Sequence, residues 1–200
     1  MPPSAANTDE LILEGIVVTL DAQGQPNIAP MGPRVDRTIA RLVLRPFQTS
    51  QTYRNLKHSG CGVFHVIDDV ELLAHAAVES LDPPPELAVI EHFLCPRLAD
   101  CCRWFGFRVQ SLDDAAERTT IDCRVVSQGD VRPFFGFNRA KHAVLEAAIH
   151  ATRIGIISAD TIRADLERLE VIVQKTAGDQ ERRAFAFLSD YINRRLNSVS

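Results

Sequence analysis

Five residues that suit phosphate binding fall within ten positions: Arg45, Thr49, Ser50, Thr52 and Arg54. An apolar run, Ile39–Leu44, leads into them, and a short helical pattern over about Thr49–His58 carries most of them. A helix start offers free backbone N–H groups and the positive end of the dipole. Hydroxyls add donors, and arginine adds charge with bidentate geometry. The plain alternative is an ordinary Ser/Thr N-cap beside solvated arginines. The stretch is not a Walker loop, because GxxxxGK[ST] is absent.

The elements that must position these groups read as follows. Leu11–Leu20 is β-branched and apolar, hence a strand, and Asp21–Gln25 is a turn. Pro26–Pro33 carries prolines that forbid a central strand but permit an edge strand. Ile39–Leu44 and Cys61–Ile67 read as a third and a fourth strand. Four strand signals at this spacing suggest a small antiparallel barrel rather than a βαβ sheet. Asp68–Ala77 opens with acidic capping residues and reads as a helix, and Leu81–Glu86 is a proline-rich break. Arg103–Gln110 and Thr119–Val126 read as two further strands around a turn at Ser111–Asp114. Beyond Pro133 the period becomes helical: Arg139–Ile154, Ser158 to about Thr176, and Glu181–Leu196 after a break at Gly178-Asp179. The expected organisation is a tail at 1–9 without fixed structure, a barrel at 10–135 and a helical subdomain at 136–200.

Composition narrows the function classes. The 46% hydrophobic and 24% charged fractions are those of an ordinary globular chain with a full core. A net charge of −4 and no basic stripe argue against a nucleic-acid partner. No apolar run reaches membrane-span length, and Met1–Glu10 has neither the basic nor the apolar region of an export signal. A cytoplasmic location with reduced thiols is therefore expected. Five cysteines, an odd number with Cys101 and Cys102 adjacent and no CxxC, suit neither a disulfide framework nor a zinc site. Most read as small core residues.

Three stretches together resemble a known superfamily. They are Asn27-Ile28-Ala29-Pro30-Met31-Gly32, then Thr49-Ser50-Gln51-Thr52-Tyr53-Arg54-Asn55-Leu56, then Gly62-Val63-Phe64-His65-Val66. Their order and spacing resemble those of the flavin reductase-like FMN-binding split barrels. Arg45-Pro46-Phe47 and Phe137-Asn138-Arg139-Ala140-Lys141 also resemble an uncharacterised archaeal and bacterial family of that fold, along about residues 10–200. The resemblance implies a mainly β chain with helices, a six-stranded antiparallel split barrel that forms a homodimer and holds FMN at the dimer interface. It implies that Asn27, Ala29, Pro30, Met31 and Gly32 approach the isoalloxazine. Arg45, Thr49, Ser50 and Thr52 would hold the phosphate, and Asn55 would fix the helix end or reach the ribityl chain. Arg139 and Lys141 open a helix, where cations are disfavoured. FMN phosphate would relieve that cost, and a solvated helix start is the alternative. Met31 stands where simple flavin reductases often have Ser or Thr.

Other signals are weaker. His65 alternates with Phe64 and Val66 in mid-strand, which suits a structural histidine. Glu91-His92-x-x-Cys95 is one metal-like fragment without partners, and no nucleophile elbow is present, so no metal site is expected. Trp104, Phe105, Phe107, Phe134, Phe135 and Phe137 read mostly as core or interface, with one or two able to cover a ligand. The expected function is an FMN-dependent oxidoreductase acting on a small molecule, with NAD(P)H as hydride source by family analogy. The alternatives are a flavin carrier, sensor or electron-transfer protein without turnover, or a barrel binding another phosphorylated or pterin-like ligand. No side chain stands out as a catalytic acid or base.

Overall fold

The computed structural model describes residues 10–78 and 81–199. The tail expected at 1–9 lies outside the described residues. Two compact units emerge. One comprises the chain up to Val66 together with Leu87–Arg132, and the other comprises Ile67–Glu86 together with the chain from Pro133 onward. The stretch expected as a continuous barrel at 10–135 is thus interrupted by an excursion into the helical unit.

The first unit is one antiparallel sheet, β1 (Leu11–Ile12), β2 (Gly15–Leu20), β3 (Pro26–Met31), β4 (Arg34–Val35), β5 (Arg41–Leu44), β6 (Cys61–Val66), β9 (Arg103–Asp113) and β10 (Thr120–Asp130). Its order is β1-β4-β5-β10-β9-β6-β2-β3. The sheet therefore has eight strands where six were expected. The run read as one strand breaks at Leu13-Glu14, so β1 leaves β2 and pairs with β4. Pro33 ends β3, its carbonyl accepts from Leu13 N–H, and the next two residues pair with β5. Each corner thus contributes one short extra strand. β3 is an edge, as its prolines require.

Two other boundaries differ from expectation. β5 begins at Arg41 because Ile39 sits in the left-handed region, at φ 52°. Asp36 Oδ1 accepts from the N–H groups of Thr38 and Ile39 and holds this turn, while the Ile39 side chain is buried. The turn expected at Ser111–Asp114 lies later, because β9 continues to Asp113 and pairs Leu112 with buried Ile121.

Helix α1 (Gln51–Ser59) closes one side of the sheet. Its Tyr53 and Leu56 join Val17, Leu42, Leu44, Phe64, Phe105 and Phe107 in the main core. Gly60 ends the helix in the left-handed conformation and gives its N–H to Leu56. A hairpin, β7 (Leu87–Ala88) and β8 (Arg97–Leu98), belongs to the same unit. Cys61 and Val63 of β6 pack with Ile90 and Cys95 from the connection between β7 and β8.

The second unit holds α2 (Val70–Ala77), α3 (Arg139–Ala151), α4 (Ala159–Thr176) and α5 (Asp179–Val199). Asp69, Asn138 and Ser158 are the N-caps of the first three. α3 buries a face of small residues, Ala140, Ala143, Ala147, Ala148 and Ala151, around Val144. Ile162 and Leu166 from α4, and Leu188 and Ile192 from α5, complete this core. α3 stops at Ala151 rather than Ile154, since Thr152–Gly155 forms a turn with Gly155 at φ 86°. No helix among the described residues is long and apolar enough to cross a membrane.

His65 has the structural environment expected of it. Its Nδ1 lies 3.1 Å from the Ile16 carbonyl, and its Nε2 accepts from Leu98 N–H at 3.0 Å. This arrangement needs a neutral ring with the proton on Nδ1. Burial pushes its pKa down to about 4. An unfolded histidine titrates near about 6.5, so the unfolded chain binds more protons below that pH. The stability given by neutral His65 is complete above about 6.5 and drains away as pH falls towards 4. The urea midpoint is expected to fall between pH 7 and 4.5, and to fall less in His65→Gln, which cannot titrate. Parallel curves for the two proteins would mean that this histidine does not drive the effect.

Candidate functional site

The start of α1 is built by local chemistry. Ser50 is the N-cap: its Oγ accepts from Tyr53 N–H at 3.2 Å and donates to the Phe47 carbonyl at 2.8 Å. Gln48 Nε2 donates to the carbonyls of Asp114 and Ala116, which ties the preceding turn to the β9–β10 connection. From the helix itself, Tyr53 hydroxyl donates to Asp114 Oδ2 at 2.7 Å, and Lys57 Nζ, one turn on, donates to the same oxygen at 2.8 Å. The Lys57 ammonium and the Tyr53 hydroxyl hold the Asp114 carboxyl below the usual carboxylate range. The helix is therefore clamped along its length, and its first turn stays open. The N–H groups of Gln51 and Thr52 have no acceptor among the described residues. Arg45 and Thr49 expose side chains that have no hydrogen-bond partner among the described residues. Arg54 turns back instead, donating to the Thr49 carbonyl and to Gln51 Oε1.

Beneath the helix lies a polar network. Arg54 can only donate, so Gln51 accepts through Oε1 and donates through Nε2 to Asn55 Oδ1 at 2.6 Å. Asn55 Nδ2 then donates to Thr19 Oγ1 at 3.0 Å. Asn27 Nδ2 reaches Thr52 Oγ1 at 3.1 Å and Thr19 Oγ1 at 3.5 Å. Thr19, Thr52 and Asn55 are buried, while Asn27 is half-buried on the edge strand. Of the expected site residues, the structure thus brings Asn27, Thr52 and Asn55 together, and it sets Arg45, Thr49 and Ser50 around the helix start. The Thr52 hydroxyl and the Asn55 amide serve the protein from behind rather than facing solvent.

The rest of β3 continues along the edge. Ala29 and Pro30 are half-buried, and Met31 packs against the main core. Gly32 lies close against two neighbouring side chains. A Cβ there would lie 2.8 Å from both Glu14 Oε1 and Ile12 Cγ2. Arg139 and Lys141 lie in the helical unit. Arg139 is exposed. Lys141 is occupied: its Nζ donates to the Asp68 carbonyl and lies 3.0 Å from Glu181 Oε1. Burial works against ionisation of Glu181, but Lys141 and the Gly178 N–H outweigh it and hold the carboxyl below its ordinary range.

Two members of the network, Thr19 and Gln51, escape sequence reading. Thr19 reads as an ordinary strand residue, and only the pairing Thr19↔Asn27 brings it to the site. Among the described residues no three or more of His, Cys, Asp and Glu gather as metal ligands.

Residues 13–131 match the family model described as the N-terminal domain of "Protein of unknown function (DUF447)", and residues 138–190 match its companion, "Protein of unknown function (DUF447)". The chain belongs to the DUF447 family. This DUF447 chain is similar in structure to the FMN-bound protein MM1853 from Methanosarcina mazei, with a TM-score of 0.79 and 26% identity. That match covers 91% of this chain and 95% of the other. Two further likenesses concern the fold alone. The 2-nitrobenzoate 2-nitroreductase NbaA of Pseudomonas fluorescens matches at a TM-score of 0.53 and 14% identity, over 64% of this chain and 67% of its own. A split-barrel protein from Shewanella frigidimarina matches at 0.52 and 10%, over 60% and 67%. The fold is that of the flavin reductase-like FMN-binding split barrels. No curated protein matches the sequence closely enough to count as a relative.

Two stability predictions follow from this geometry. Thr19→Val keeps the volume but removes the acceptor of Asn55, and should cost about 1–3 kcal/mol in chemical denaturation. A change below about 0.5 kcal/mol would mean the amide finds another partner. Lys141→Ala strands Glu181 and should cost about 2–4 kcal/mol, whereas Arg139→Ala should stay within about 0.5 kcal/mol. Equal effects of the two substitutions would contradict the structural role of Lys141.

Proposed function

We propose that this protein binds FMN and acts as an oxidoreductase of the flavin reductase type. The observation that carries the reading is the near full-length likeness to an FMN-bound member of the same family, at 26% identity and a TM-score of 0.79. The residues present fit the group. The open first turn of α1 offers two backbone N–H donors, the Thr49 hydroxyl and the Arg45 guanidinium, which is the donor set a phosphate monoester needs. Ser50 shapes that turn as its cap. Thr52 and Asn55 act from behind by holding Asn27, which stands with Ala29, Pro30, Met31 and Gly32 along an edge that no other strand covers among the described residues. Such an edge can offer backbone groups to the polar rim of a flat ring, and small Ala29 allows close approach.

When bound, FMN supplies the hydride chemistry, with NAD(P)H as the reductant and a small molecule as acceptor. The protein then binds, orients and excludes water, and it needs no acid or base of its own. In this reading the chain works as a cytoplasmic homodimer. Exposed Phe135 and Phe137, 83% and 94% accessible, support a contact still to be covered in the single chain. Of the two cations at the α3 start, Lys141 is paired with Glu181 and Arg139 is exposed.

The test is the visible spectrum of the purified protein before and after FMN, then under anaerobic NADH or NADPH. A bound flavin that bleaches on adding the nucleotide is the expected result. A flavin that stays oxidised would point to a carrier, and failure to bind FMN would end the proposal. Arg45→Ala should weaken FMN binding about tenfold or more, since a charge-assisted contact is worth roughly 1.5–3 kcal/mol. Unchanged affinity in the folded variant would remove Arg45 from the phosphate site.

A further inference from the structure

Two cysteines face each other away from the α1 site. Cys61 opens β6 directly after the Gly60 cap, and Cys95 lies in the connection between β7 and β8. Their sulfurs are 3.6 Å apart across 34 residues of chain, and Cys95 Sγ is also 3.6 Å from the Cys61 carbonyl. Both residues are fully buried, 1% and 0% exposed, among Val63, Ile90, Leu20, Phe93 and Trp104. Cys101 and Cys123 turn their thiols to the carbonyls of Leu98 and Ile121 instead. A disulfide is about 2.0 Å long, so these two sulfurs need to close by roughly 1.6 Å, within reach of side-chain rotation in an irregular segment.

We propose that Cys61 and Cys95 form a modification site at which a hydroperoxide converts two thiols into an internal disulfide. The Cys61 sulfur attacks the peroxide, the O–O bond breaks, and Cys61 becomes a sulfenic acid while the departing oxygen takes a proton. The Cys95 sulfur then attacks the sulfenic sulfur. The S–O bond breaks, and hydroxide leaves with the Cys95 proton as water. Two thiols are oxidised by two electrons in all, and hydrogen peroxide is reduced to two waters.

The surroundings assign the order. A hydrogen bond from Cys95 lowers the Cys61 thiol against its burial, helped by Ser59 and Arg108. Cys95 moves the other way and keeps its proton, as suits the resolving partner. Burial pushes Cys101 up to about 11 and Cys123 up to about 12, which leaves them poor nucleophiles. Access runs through the 89–96 segment, which has no regular secondary structure and exposes Val89 and Leu94. Once formed, the bond ties that segment to the first residue after α1.

The test treats the folded, reduced protein with hydrogen peroxide and counts thiols after denaturation. The count should fall from five to three, five less the two consumed, and a thiol reductant should restore it. Trypsin leaves both residues in one peptide, His58–Arg97, so a second cut at Glu71, Glu86 or Glu91 is needed to display the cross-link. The oxidised protein should melt higher by roughly 5–10 °C. Cys95→Ser should halt at the Cys61 sulfenic acid, trapped by dimedone, whereas Cys101→Ser should still close the bridge. Five thiols remaining after treatment, a bridge between other cysteines, or oxidation only once urea has unfolded the chain would each overturn the proposal.

Discussion

The Asn55 amide is 2% exposed, on a helix that also buries the hydroxyl of Thr52 against a strand carrying the buried hydroxyl of Thr19. Polar groups removed from water cost about 1–3 kcal/mol each when left unpaired. All of them are satisfied only if α1 is rotated to aim Asn55 at Thr19 and β3 is paired so that Asn27 meets Thr52. Strand side chains alternate with period two, so a slip of one residue would bring Pro26 or Ile28 to that place and leave the amide and hydroxyls stranded. A small polar cluster thereby sets the register of the edge strand. Through the register it also sets which of Ala29, Pro30 and Met31 stands where along the rim.

The apolar side completes what the polar cluster begins. Tyr53 and Leu56 insert into the core, while the Tyr53 hydroxyl emerges to meet Asp114 and Lys57. One side chain thus serves both burial and a surface clamp. Gln48 grips the same β9–β10 connection ahead of the helix. These restraints act behind and beside the helix, and none uses the N–H groups of its first turn. Ser50 takes the N–H groups of Tyr53 and Arg54, and those of Gln51 and Thr52 keep no acceptor among the described residues.

How far this was legible depends on how local each signal is. The Ser50 cap and the extent of α1 could be read because capping and helical spacing are written within ten residues. The edge character of β3 could be read because proline cannot serve a central ladder. Thr19 and Gln51 could not be read, since their roles arise only when partners from β3 and α1 arrive. β1 and β4 escaped because two residues carry no periodicity. Ile39 misled the strand boundary, since its β-branched type favours extension while the Asp36 turn holds it left-handed. The expectation of FMN came from the order of three motifs and agrees with the FMN-bound structure in the same family.

The helical unit is discontinuous in sequence: α2 precedes β9 and β10, and α3 to α5 follow them. Gln180 of α5 bonds Asp69, the α2 cap, and Arg183 makes a two-point ion pair with Glu71. On the ribosome, α2 therefore emerges before α3 and α5, the helices it packs on, and its apolar face, Val70, Leu73 and Ala74, has to wait for them. The same connectivity means that neither unit is a detachable cassette. A fragment cut at residue 133 would lose the last helices from one piece and α2 from the other, so each piece would carry an unfinished helical core.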